Sequence, residues 1–521
     1  VASCLLLTAE AAGVDRSHLF KERKHHWPRA RGHIESYGVT SLVAPNISAT
    51  PPTWSYHHPD GRFRDVVLGG PLIDDQNNFY IFSVNGPMKL DMKGNLVWKY
   101  ATKFDNADVG SLWGSVLYLS DKGGMVYAIN IETGEAIWKS KVATDAPADT
   151  AYTEVYRGVV IFEAINAPGT GGGSYIFGVN ATNGNTLWTF KPSTPVWNIM
   201  AMFPGDDTFL FQDYDAKAYR LGLFNGSLLW QAGGGHMPQD TWSDGGAMIG
   251  PNGIVYAASS KAHIMSHHPT CGGGVHAYRI SNGSTVWEKD LLRPFFTWAV
   301  VGQLPGKKGL SVIVSIGANA FIAWKAILYG SVVYLIPTLL IWTALIMSGL
   351  TVCRCCQGGG FKGLVYRICR WWLILGPVGL LLACGSTVLY AQRFPPFESE
   401  VIAMDAETGE QQWEFKLPSW PFISAAGDSE GFFERMRYLP QRSLVLPAAF
   451  NSPTIDGDGR VIIGYHNGRV YSVRDDDGDG VISKAETMEY DTKSNFLHTG
   501  AAFAPGVFAV ASTDTLFVWL S

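Results

Sequence analysis

"AMDAETGEQQW" occupies Ala403–Trp413, and "AINIETGEAIW" occupies Ala128–Trp138. In both stretches, alternating small and apolar residues lead into a Thr-Gly turn, which is followed by a second short segment ending in tryptophan. Turns that contain glycine join antiparallel strands, so each phrase predicts a β-hairpin. Related phrases with Asn-Gly or Lys-Gly turns end at four further tryptophans: Trp98, Trp188, Trp230 and Trp287.

The spacing of these phrases predicts the fold. Successive tryptophans are separated by 40, 50, 42, 57 and 126 residues. Strand-like alternating stretches such as "GVVIFEAI" and "GIVYAASS" precede the phrases. A period of 40 to 50 residues with several strands in each unit is typical of a β-propeller.

The copies resemble the pyrroloquinoline-quinone-like (PQQ-like) repeat, whose blades carry the pattern A-x-D-x-x-T-G-x-x-x-W. The resemblance covers most of the chain outside one apolar insert and the N-terminal segment. It implies a propeller in which each repeated tryptophan wedges between neighbouring blades. It also implies that the enzymes of the family hold a quinone cofactor on the propeller axis, with a calcium ion, a catalytic aspartate and often an adjacent cysteine pair.

Two further units lack the tryptophan phrase. "PTIDGDGRVIIGYHNGRVYSV" (Pro453–Val473) predicts a seventh blade, and "GVFAVASTDTLFVWLS" (Gly506–Ser521) predicts strands of an eighth. "PTWSYHH" (Pro52–His58) near the start of the chain is the candidate for the missing outer strand, which would pair the two ends and close the ring. We therefore predict an all-β, eight-bladed propeller, with seven blades as the alternative.

The long interval of 126 residues contains two apolar runs, Ala326–Val352 and Trp371–Ala391. Each is long enough to cross a bilayer as a helix, so the sequence predicts a two-helix transmembrane hairpin that interrupts the propeller. The connector between the runs contains basic residues and no acidic ones: Arg354, Lys362, Arg367 and Arg370. The positive-inside rule places this connector in the cytoplasm, or in the stroma or matrix of an organelle, and both parts of the propeller on the lumenal or extracellular side.

These features divide the chain into four parts. Residues 1–45 are interpreted as a targeting remnant followed by a basic tail. Residues 46–320 are the first part of the propeller, 321–393 the transmembrane hairpin, and 394–521 the remainder of the propeller with an acidic loop at 475–486.

The acidic loop matches an EF-hand-type calcium loop. Acidic side chains stand at positions 1, 3, 5 and 12 of the loop, a glycine stands at position 6, and a backbone carbonyl and a serine supply positions 7 and 9. The predicted ligands are Asp475, Asp477, Asp479, Val481, Ser483 and Glu486. Because a strand rather than a helix precedes the loop, we expect a structural Ca²⁺ and not a regulatory one.

Three other groups of residues are open to two interpretations each. His263, His267, His268, Cys271 and His276 form either a metal site or exposed polar sequence. Asn46, Asn180, Asn225 and Asn282 begin N-glycosylation sequons but also suit turns. Cys353, Cys355 and Cys356, at a predicted helix end, are either S-acylated or free thiols.

The function predicted from these patterns is non-catalytic. The adjacent pair Cys355–Cys356 lies in the predicted connector, and no cofactor-stacking or base motif can be placed, so we expect no bound PQQ. A net charge of −5 gives no electrostatic case for nucleic acid. We expect a membrane-anchored platform or accessory subunit that contacts lipid through its helices and other membrane subunits or a protein ligand through its propeller face. A membrane quinone-dependent redox enzyme and a glycosylated cell-surface receptor remain the alternatives.

Overall fold

The structure of the protein is a computed structural model. It describes residues 16–35, 37–100, 109–121, 123–144, 152–164, 175–196, 201–234, 247–260, 272–295, 297–317, 331–355, 376–390, 392, 396–435, 437, 450–497 and 499–521.

Eight separate antiparallel sheets confirm the prediction of eight blades. Within a blade the strands follow one another from the innermost to the outermost. Blade 1 consists of β2 (Val67–Ile73), β3 (Phe79–Ser83), β4 (Gly86–Leu90) and β5 (Leu96–Lys99), and blade 2 of β6 (Ser111–Trp113), β7 (Val116–Ser120), β8 (Met125–Asn130) and β9 (Ala136–Lys141). Blade 3 consists of β10 (Glu154–Tyr156), β11 (Val159–Ala164), β12 (Tyr175–Asn180) and β13 (Thr186–Phe190). Blade 4 consists of β14 (Thr208–Gln212), β15 (Ala218–Gly222) and β16 (Leu228–Ala232), and a bridge between Met202 and Leu210 takes the place of its innermost strand.

The other four blades complete the ring. Blade 5 consists of β17 (Met248–Ile249), β18 (Ile254–Ser260), β19 (Gly273–Arg279) and β20 (Thr285–Leu291), and blade 6 of β21 (Val300–Gln303), β22 (Leu310–Gly317), β23 (Ser399–Asp405) and β24 (Gln411–Lys416). Blade 7 consists of β25 (Thr454–Ile455), β26 (Val461–Gly464), β27 (Arg469–Val473) and β28 (Thr487–Asp491). Blade 8 consists of β29 (Ala502–Ala504), β30 (Val507–Ala511), β31 (Leu516–Leu520) and β1 (Trp54–Tyr56).

Helices are few among the described residues. Three α-helices are α1 (Ile336–Cys355), α2 (Gly376–Tyr390) and α3 (Phe432–Arg435). Short 3₁₀ turns occur at Ser17–Phe20 and Arg62–Arg64, and a π-helical turn at Ser331–Leu335 precedes α1.

The alternation of strand direction gives the ring two distinct faces. We call the turn face the side with the turns between first and second strands and between third and fourth strands, for example residues 131–135 and 181–185. We call the crossover face the side with the turns between second and third strands, for example residues 213–217, and with the connections to the next blade.

The ends of the chain close the ring, as predicted for Pro52–His58. Strand β1 pairs antiparallel with β31, with Trp54 opposite Val518 and Tyr56 opposite Leu516. Blade 8 therefore combines the first described strand of the chain with its last three strands. This pairing fixes the circumference, because opening the ring would expose a sheet edge on either side of the break.

A repeated tryptophan contact joins neighbouring blades. The indole of the outermost strand lies against a glycine of positive φ in the turn of the next blade. The indole Nε1 donates a hydrogen bond of 2.8–2.9 Å to a carbonyl in the same turn. A Cβ added to these glycines would lie 2.6–2.8 Å from an indole atom, so only glycine fits. The pairs are Trp98 with Gly134, Trp138 with Gly184, Trp188 with Gly226, Trp230 with Gly283, and Trp287 with Gly409.

Trp54 makes the same contact at the closing joint, although its sequence context lacks the repeat phrase. Its Nε1 donates to the Met92 carbonyl at 3.0 Å, and a Cβ on Gly94 would lie 2.8 Å from the indole. Sequence reasoning identified the strand but missed this role, because Trp54 is separated in sequence from the rest of its blade.

The joints on either side of blade 7 differ from the others. In blade 7 the acidic loop occupies the position that the glycine turn has in other blades. Trp413 of blade 6 is 2% exposed and belongs to one core cluster with Ile482 of this loop. At the next joint, Tyr490 packs edge-on against Trp519, with ring centroids 5.3 Å apart. The acidic loop is therefore part of the inter-blade packing.

The apolar insert leaves the propeller from the crossover face. It lies between β22 and β23, whose ends pair with Gly317 opposite Ser399, so the chain departs and returns at one place. Residues Ser331–Ser348 are long and apolar enough to cross a membrane, with a mean hydropathy of 1.9, and α2 is a shorter apolar helix. The two-helix transmembrane hairpin stays a prediction, as do the domain boundaries at 320/321 and 393/394.

The two apolar helices lie side by side and antiparallel. Gly376 of α2 faces Trp342, and Gly379 faces Thr338. The rings of Tyr334 and Tyr390 lie 6.3 Å apart. Glycines at a helix contact allow the close approach that is typical of packed membrane helices.

The tryptophan–glycine joint can be tested with a matched pair of substitutions. Gly283 and Gly306 share a φ of +72°, but an added Cβ at Gly283 would meet Trp230 whereas the one at Gly306 would meet nothing within 4 Å. Gly306→Ala should cost about 1 kcal/mol through its left-handed backbone. Gly283→Ala should cost a further ~1–3 kcal/mol by forcing the indole to shift. Urea unfolding of the purified full chain measures both, and equal losses would contradict the proposed packing.

Candidate functional sites on the propeller axis and in the acidic loop

Residues 25–35 and 37–40, named here the axial segment, lie inside the ring of innermost strands. At one end Trp27 and Ile73 exchange two backbone hydrogen bonds of 2.9 Å. At the other end Val39 forms a parallel bridge with Ile455 of β25. The segment therefore links blade 1 to blade 7 across the centre of the molecule.

The middle of the axial segment contacts blades 2 and 4. The Pro28 carbonyl accepts a hydrogen bond of 2.8 Å from the Leu112 amide in β6. The hydroxyl of Tyr37 is hydrogen-bonded to the backbone of Phe203. Tyr37 is 5% exposed and burial raises its pKa, so it is a neutral part of the core.

Arg31 is the most buried charged side chain of the axial segment, at 1% exposure. Its Nη2 donates to the carbonyls of Ala299 and Pro453, both at 3.1 Å, which directly precede the inner strands of blades 6 and 7. The guanidinium packs against Gly38, where φ is +71° and a side chain would collide with it. Burial lowers the pKa of Arg31 to about 9, because a cation that is removed from water loses its hydration.

Arg29 contacts blade 3. Its Nη1 lies 3.4 Å from Glu154 Oε2, and its Nη2 donates to the Val155 carbonyl at 3.2 Å. The guanidinium also lies over the Phe203 ring at 5.5 Å. Burial raises the pKa of Glu154 to about 7, against the opposing effect of Arg29.

The axial segment differs from the basic tail predicted for residues 1–45. Its arginines and histidines suggest a solvated tail, yet the structure uses them as buried donors to carbonyls at the ends of inner strands. His25, for example, is 2% exposed and lies 2.7 Å from the Gly114 carbonyl. Buried backbone carbonyls at strand ends need donors, and long cationic side chains supply them from a segment without regular structure.

The acidic loop lies on the turn face, between β27 and β28. One carboxylate oxygen from each of Asp475, Asp477 and Asp479 lies within 4.8 Å of the others. The structure thus brings together three of the predicted calcium ligands. Gly480, with a φ of +84°, makes the sharp turn expected at position 6.

Glu486 folds back over the loop. Its Oε1 accepts a hydrogen bond of 2.7 Å from the Asp476 amide, and its Oε2 accepts one of 2.7 Å from the Ser483 amide. These hydrogen bonds, first of all those from Ser483, lower the pKa of Glu486 to about 2. The carboxylate is ionised at neutral pH, as a bidentate ligand for a hard cation must be.

The acidic loop is attached to blade 6 by two backbone hydrogen bonds. The Glu414 amide donates to the Gly480 carbonyl at 3.0 Å, and the Ile482 amide donates to the Glu414 carbonyl at 2.9 Å. Lys307, also from blade 6, lies 3.0 Å from Asp475. The neighbouring blade thus supports the loop from one side and neutralises one of its carboxylates.

The histidine cluster and the cysteines are described only in part. His263, His267, His268 and Cys271 lie outside the described residues, whereas His276 stands in β19 with its Nδ1 3.4 Å from Glu288. Cys353 and Cys355 fall within α1, and Cys356 lies outside the described residues.

Three of the four sequons lie in turns of the turn face. Asn225 and Asn282 are exposed, whereas Asn180 is half-buried. The side-chain oxygen of Asn180 accepts hydrogen bonds from the amide and hydroxyl of Thr182, as expected for a turn asparagine. The fourth, Asn46, is exposed and precedes β1.

A cleft of about 600 Å³ lies between the outer strands of blades 5 and 6. Charged side chains of both signs line it, including Lys289, Asp290, Glu414 and Lys416. Apolar side chains such as Leu291, Leu292 and Ile402 line it as well, so the cleft is mixed in character.

Comparisons with known proteins agree with this fold. Residues 88–266, which is less than half of the chain, match the family described as outer membrane protein assembly factor BamB. The protein of that name from Nitrosomonas eutropha is 24% identical over 231 residues, covering 42% of this chain and 50% of the relative. Tetrathionate hydrolase from Acidithiobacillus ferrooxidans is 23% identical over 261 residues, covering 44% of each chain. The chain thus spans about half the length of these relatives.

Among solved structures, a quinohemoprotein alcohol dehydrogenase from Pseudomonas putida is similar over 98% of this chain and 82% of its own. The TM-score is 0.55 at 11% sequence identity, which establishes likeness of fold alone. Together with the family match, this likeness confirms the resemblance to PQQ-like repeats. The EF-hand-type loop stays a prediction.

The propeller axis is the place in which a bound quinone cofactor would be expected. By the family resemblance, such a cofactor lies on the axis with a calcium ion. In this protein the axial segment lies on the axis, and its residues Trp27 and Arg31 are 3% and 1% exposed. The acidic loop lies at the outer part of blade 7 and not on the axis.

Glu154 predicts a specific pH dependence of stability. Its pKa is about 7 in the folded chain, against 4.5 for a glutamate free in water, so the folded state holds the proton more tightly. The stabilisation is complete below pH 4.5 and is lost as the pH rises towards 7, by about 3 kcal/mol. Thermal unfolding from pH 4.5 to 8 should show a smaller decline for Glu154→Gln than for the unaltered chain. Parallel curves for the two proteins would contradict the assignment.

Proposed function

We propose that this chain, which is built from PQQ-like β-propeller repeats, is a non-catalytic, membrane-anchored propeller that serves as an interaction platform or accessory subunit of a membrane complex. The observation that carries the proposal is the axial segment. Residues of the chain itself fill the place in which, by the family resemblance, a quinone cofactor would lie. The remaining surfaces suited to a ligand are the rim and the two broad faces.

The apolar insert supports membrane anchoring. In the window Ser331–Ser348 none of the residues is buried, which suits a helix surrounded by lipid. Because Gly317 and Ser399 are paired, a hairpin that crosses twice leaves all eight blades on one side. We propose that this side is lumenal or extracellular and that the basic connector is cytoplasmic, stromal or in the matrix. Acylation of Cys353, Cys355 and Cys356 would add to the anchor.

Protein recognition is supported by the relatives and by the shape. The Nitrosomonas eutropha relative is named as an outer membrane protein assembly factor, and we extend only the general idea of an accessory role to this chain. A rigid ring with variable turns offers a broad recognition surface. The charged cleft between blades 5 and 6 is one place where a polar partner would bind.

The acidic loop is proposed to hold a structural Ca²⁺. Asp475, Asp477, Asp479 and Glu486 would supply carboxylate oxygens, with the Val481 carbonyl and Ser483 completing the set. Since Ile482 of this loop packs in one core cluster with Trp413, the ion would stabilise the joint between blades 6 and 7. A resident ion in this position stabilises the ring without moving any part of it.

We also propose that the exposed sequons carry N-linked glycans in a secretory-route protein. Asn225 and Asn282 are accessible on the turn face, away from the membrane insert, and Asn46 is exposed beside the ring closure. Asn180 is the poorest acceptor because it is half-buried at the joint with Trp138.

Removal of calcium tests the structural ion. Chelation of Ca²⁺ from the purified full chain should lower the thermal midpoint by several degrees, as expected when a bound ion stabilises only the folded state. Asp479→Asn should lower the midpoint in calcium and abolish the response to chelator. Glu410→Gln, which changes an exposed acid in the turn of blade 6, is the control and should behave like the unaltered chain. An unchanged midpoint on chelation would rule out a structural ion.

Purification in mild detergent tests the proposed role. Mass spectrometry should find membrane proteins recovered with the chain in fixed ratio. Titration of the purified chain with PQQ and Ca²⁺ should leave the absorbance of the quinone unchanged. Binding of one equivalent of quinone would instead support the redox-enzyme alternative and overturn the proposal.

A further inference from the structure

The segment between blades 6 and 7 presents exposed aromatic side chains on the crossover face. Phe422, Phe432 and Phe433, named here the aromatic ridge, are 53%, 40% and 85% exposed. Phe433 is the most exposed large apolar side chain among the described residues. Exposed apolar side chains that are grouped on one surface segment are typical of interaction sites.

The aromatic ridge begins beside the point at which the membrane insert rejoins the propeller. Phe397, directly before β23, exchanges two backbone hydrogen bonds with Trp420, at 2.8 and 2.9 Å. The ring of Trp420 contacts that of Phe422, with centroids 5.1 Å apart. The first part of the ridge is therefore fixed next to the returning chain.

From blade 6 the segment continues over the crossover face of blades 7 and 8. The Ala426 amide donates to the carbonyl of His466, in the turn between β26 and β27. The Asn495 amide, which follows β28, donates to the Ala426 carbonyl at 2.9 Å. Both contacts lie on the crossover face, so the ridge stays on the side from which the apolar helices leave.

The exposed pair Phe432–Phe433 is held in place by a buried ionic cluster. Arg435 is fully buried and forms ion pairs with Asp428 and Asp514, the latter at 3.1 Å. Its Nη2 also donates to the hydroxyls of Ser494 and Thr513. A buried cation with two carboxylates and two hydroxyls is well compensated, and it fixes α3 on blade 8. The phenylalanines therefore project from a rigid support.

The length of the tether places this face close to the bilayer. Phe397 is seven residues further along the chain than Tyr390, the last residue of α2. An extended chain of that length spans at most ~25 Å. If α2 ends at the membrane surface, the crossover face of blade 6 lies within that distance of the lipid headgroups.

We propose that the aromatic ridge is a second membrane contact, whose phenylalanines enter the headgroup region beside the apolar helices and orient the propeller with its crossover face towards the bilayer. This proposal rests on the membrane anchoring proposed above. Aromatic side chains are favoured at the membrane interface, where an apolar ring leaves water without a spanning helix. The charged neighbours Arg64, Glu430, Glu434 and Arg437 sum to zero, so the proposed contact depends on the aromatic rings and not on attraction to anionic lipids.

Site-specific photo-crosslinking tests the proposal. The full chain, carrying p-benzoylphenylalanine at one position, is reconstituted in nanodiscs of phosphatidylcholine and phosphatidylserine, irradiated and analysed by mass spectrometry. The test position is Phe433. Phe224, which is 50% exposed on the turn face, is the matched negative control, and Leu340, which is 65% exposed on α1, reports on anchoring itself.

The proposal expects lipid adducts at positions 433 and 340, several-fold above the yield at position 224. Adducts at 340 with none above control at 433 would overturn the ridge contact and leave membrane anchoring intact. A crosslink from 433 to a second protein chain would also overturn it, in favour of a protein interface. Lipid adducts at neither position would overturn the anchoring and the ridge together.

Discussion

The indole of an outer-strand tryptophan, seated on the turn glycine of the next blade, is the contact on which the ring depends. Each such joint combines a large buried apolar surface with one hydrogen bond from Nε1 to a carbonyl of the neighbouring turn. The positive φ of the glycine brings the turn backbone onto the indole face, and a Cβ there would separate the blades. Six joints share this geometry.

Ring closure explains the placement of the other features. The chain leaves blade 6 between two paired strands, so the apolar insert extends from the crossover face without breaking a joint. The acidic loop replaces the glycine turn of blade 7 and must meet Trp413 in another way, through Ile482 and the hydrogen bonds to Glu414. The apolar insert and the acidic loop consequently lie on opposite faces of the ring.

Much of this architecture follows from the sequence because it is local and periodic. The Thr-Gly and Asn-Gly turns before tryptophan define most of the blades, and the carboxylates of the acidic loop are specified by their spacing. The axial segment was not predicted, because its sequence has no periodicity and its cationic side chains are also typical of a solvated tail. Two carbonyls from distant parts of the chain, those of Ala299 and Pro453, make Arg31 a core residue. Trp54 was missed for a related reason: its partner turn, around Gly94, becomes its neighbour only when the ring closes.

The central claim is that residues before and after the apolar insert form one ring on one side of a bilayer. Single cysteines at Thr186 in blade 3 and Gln411 in blade 6, both exposed, would report on it in a background whose native cysteines are serine. In sealed vesicles of one orientation, a membrane-impermeant maleimide should label both positions or neither, before detergent is added. Labelling of one position with protection of the other would place the two parts on opposite sides of the membrane and contradict the account.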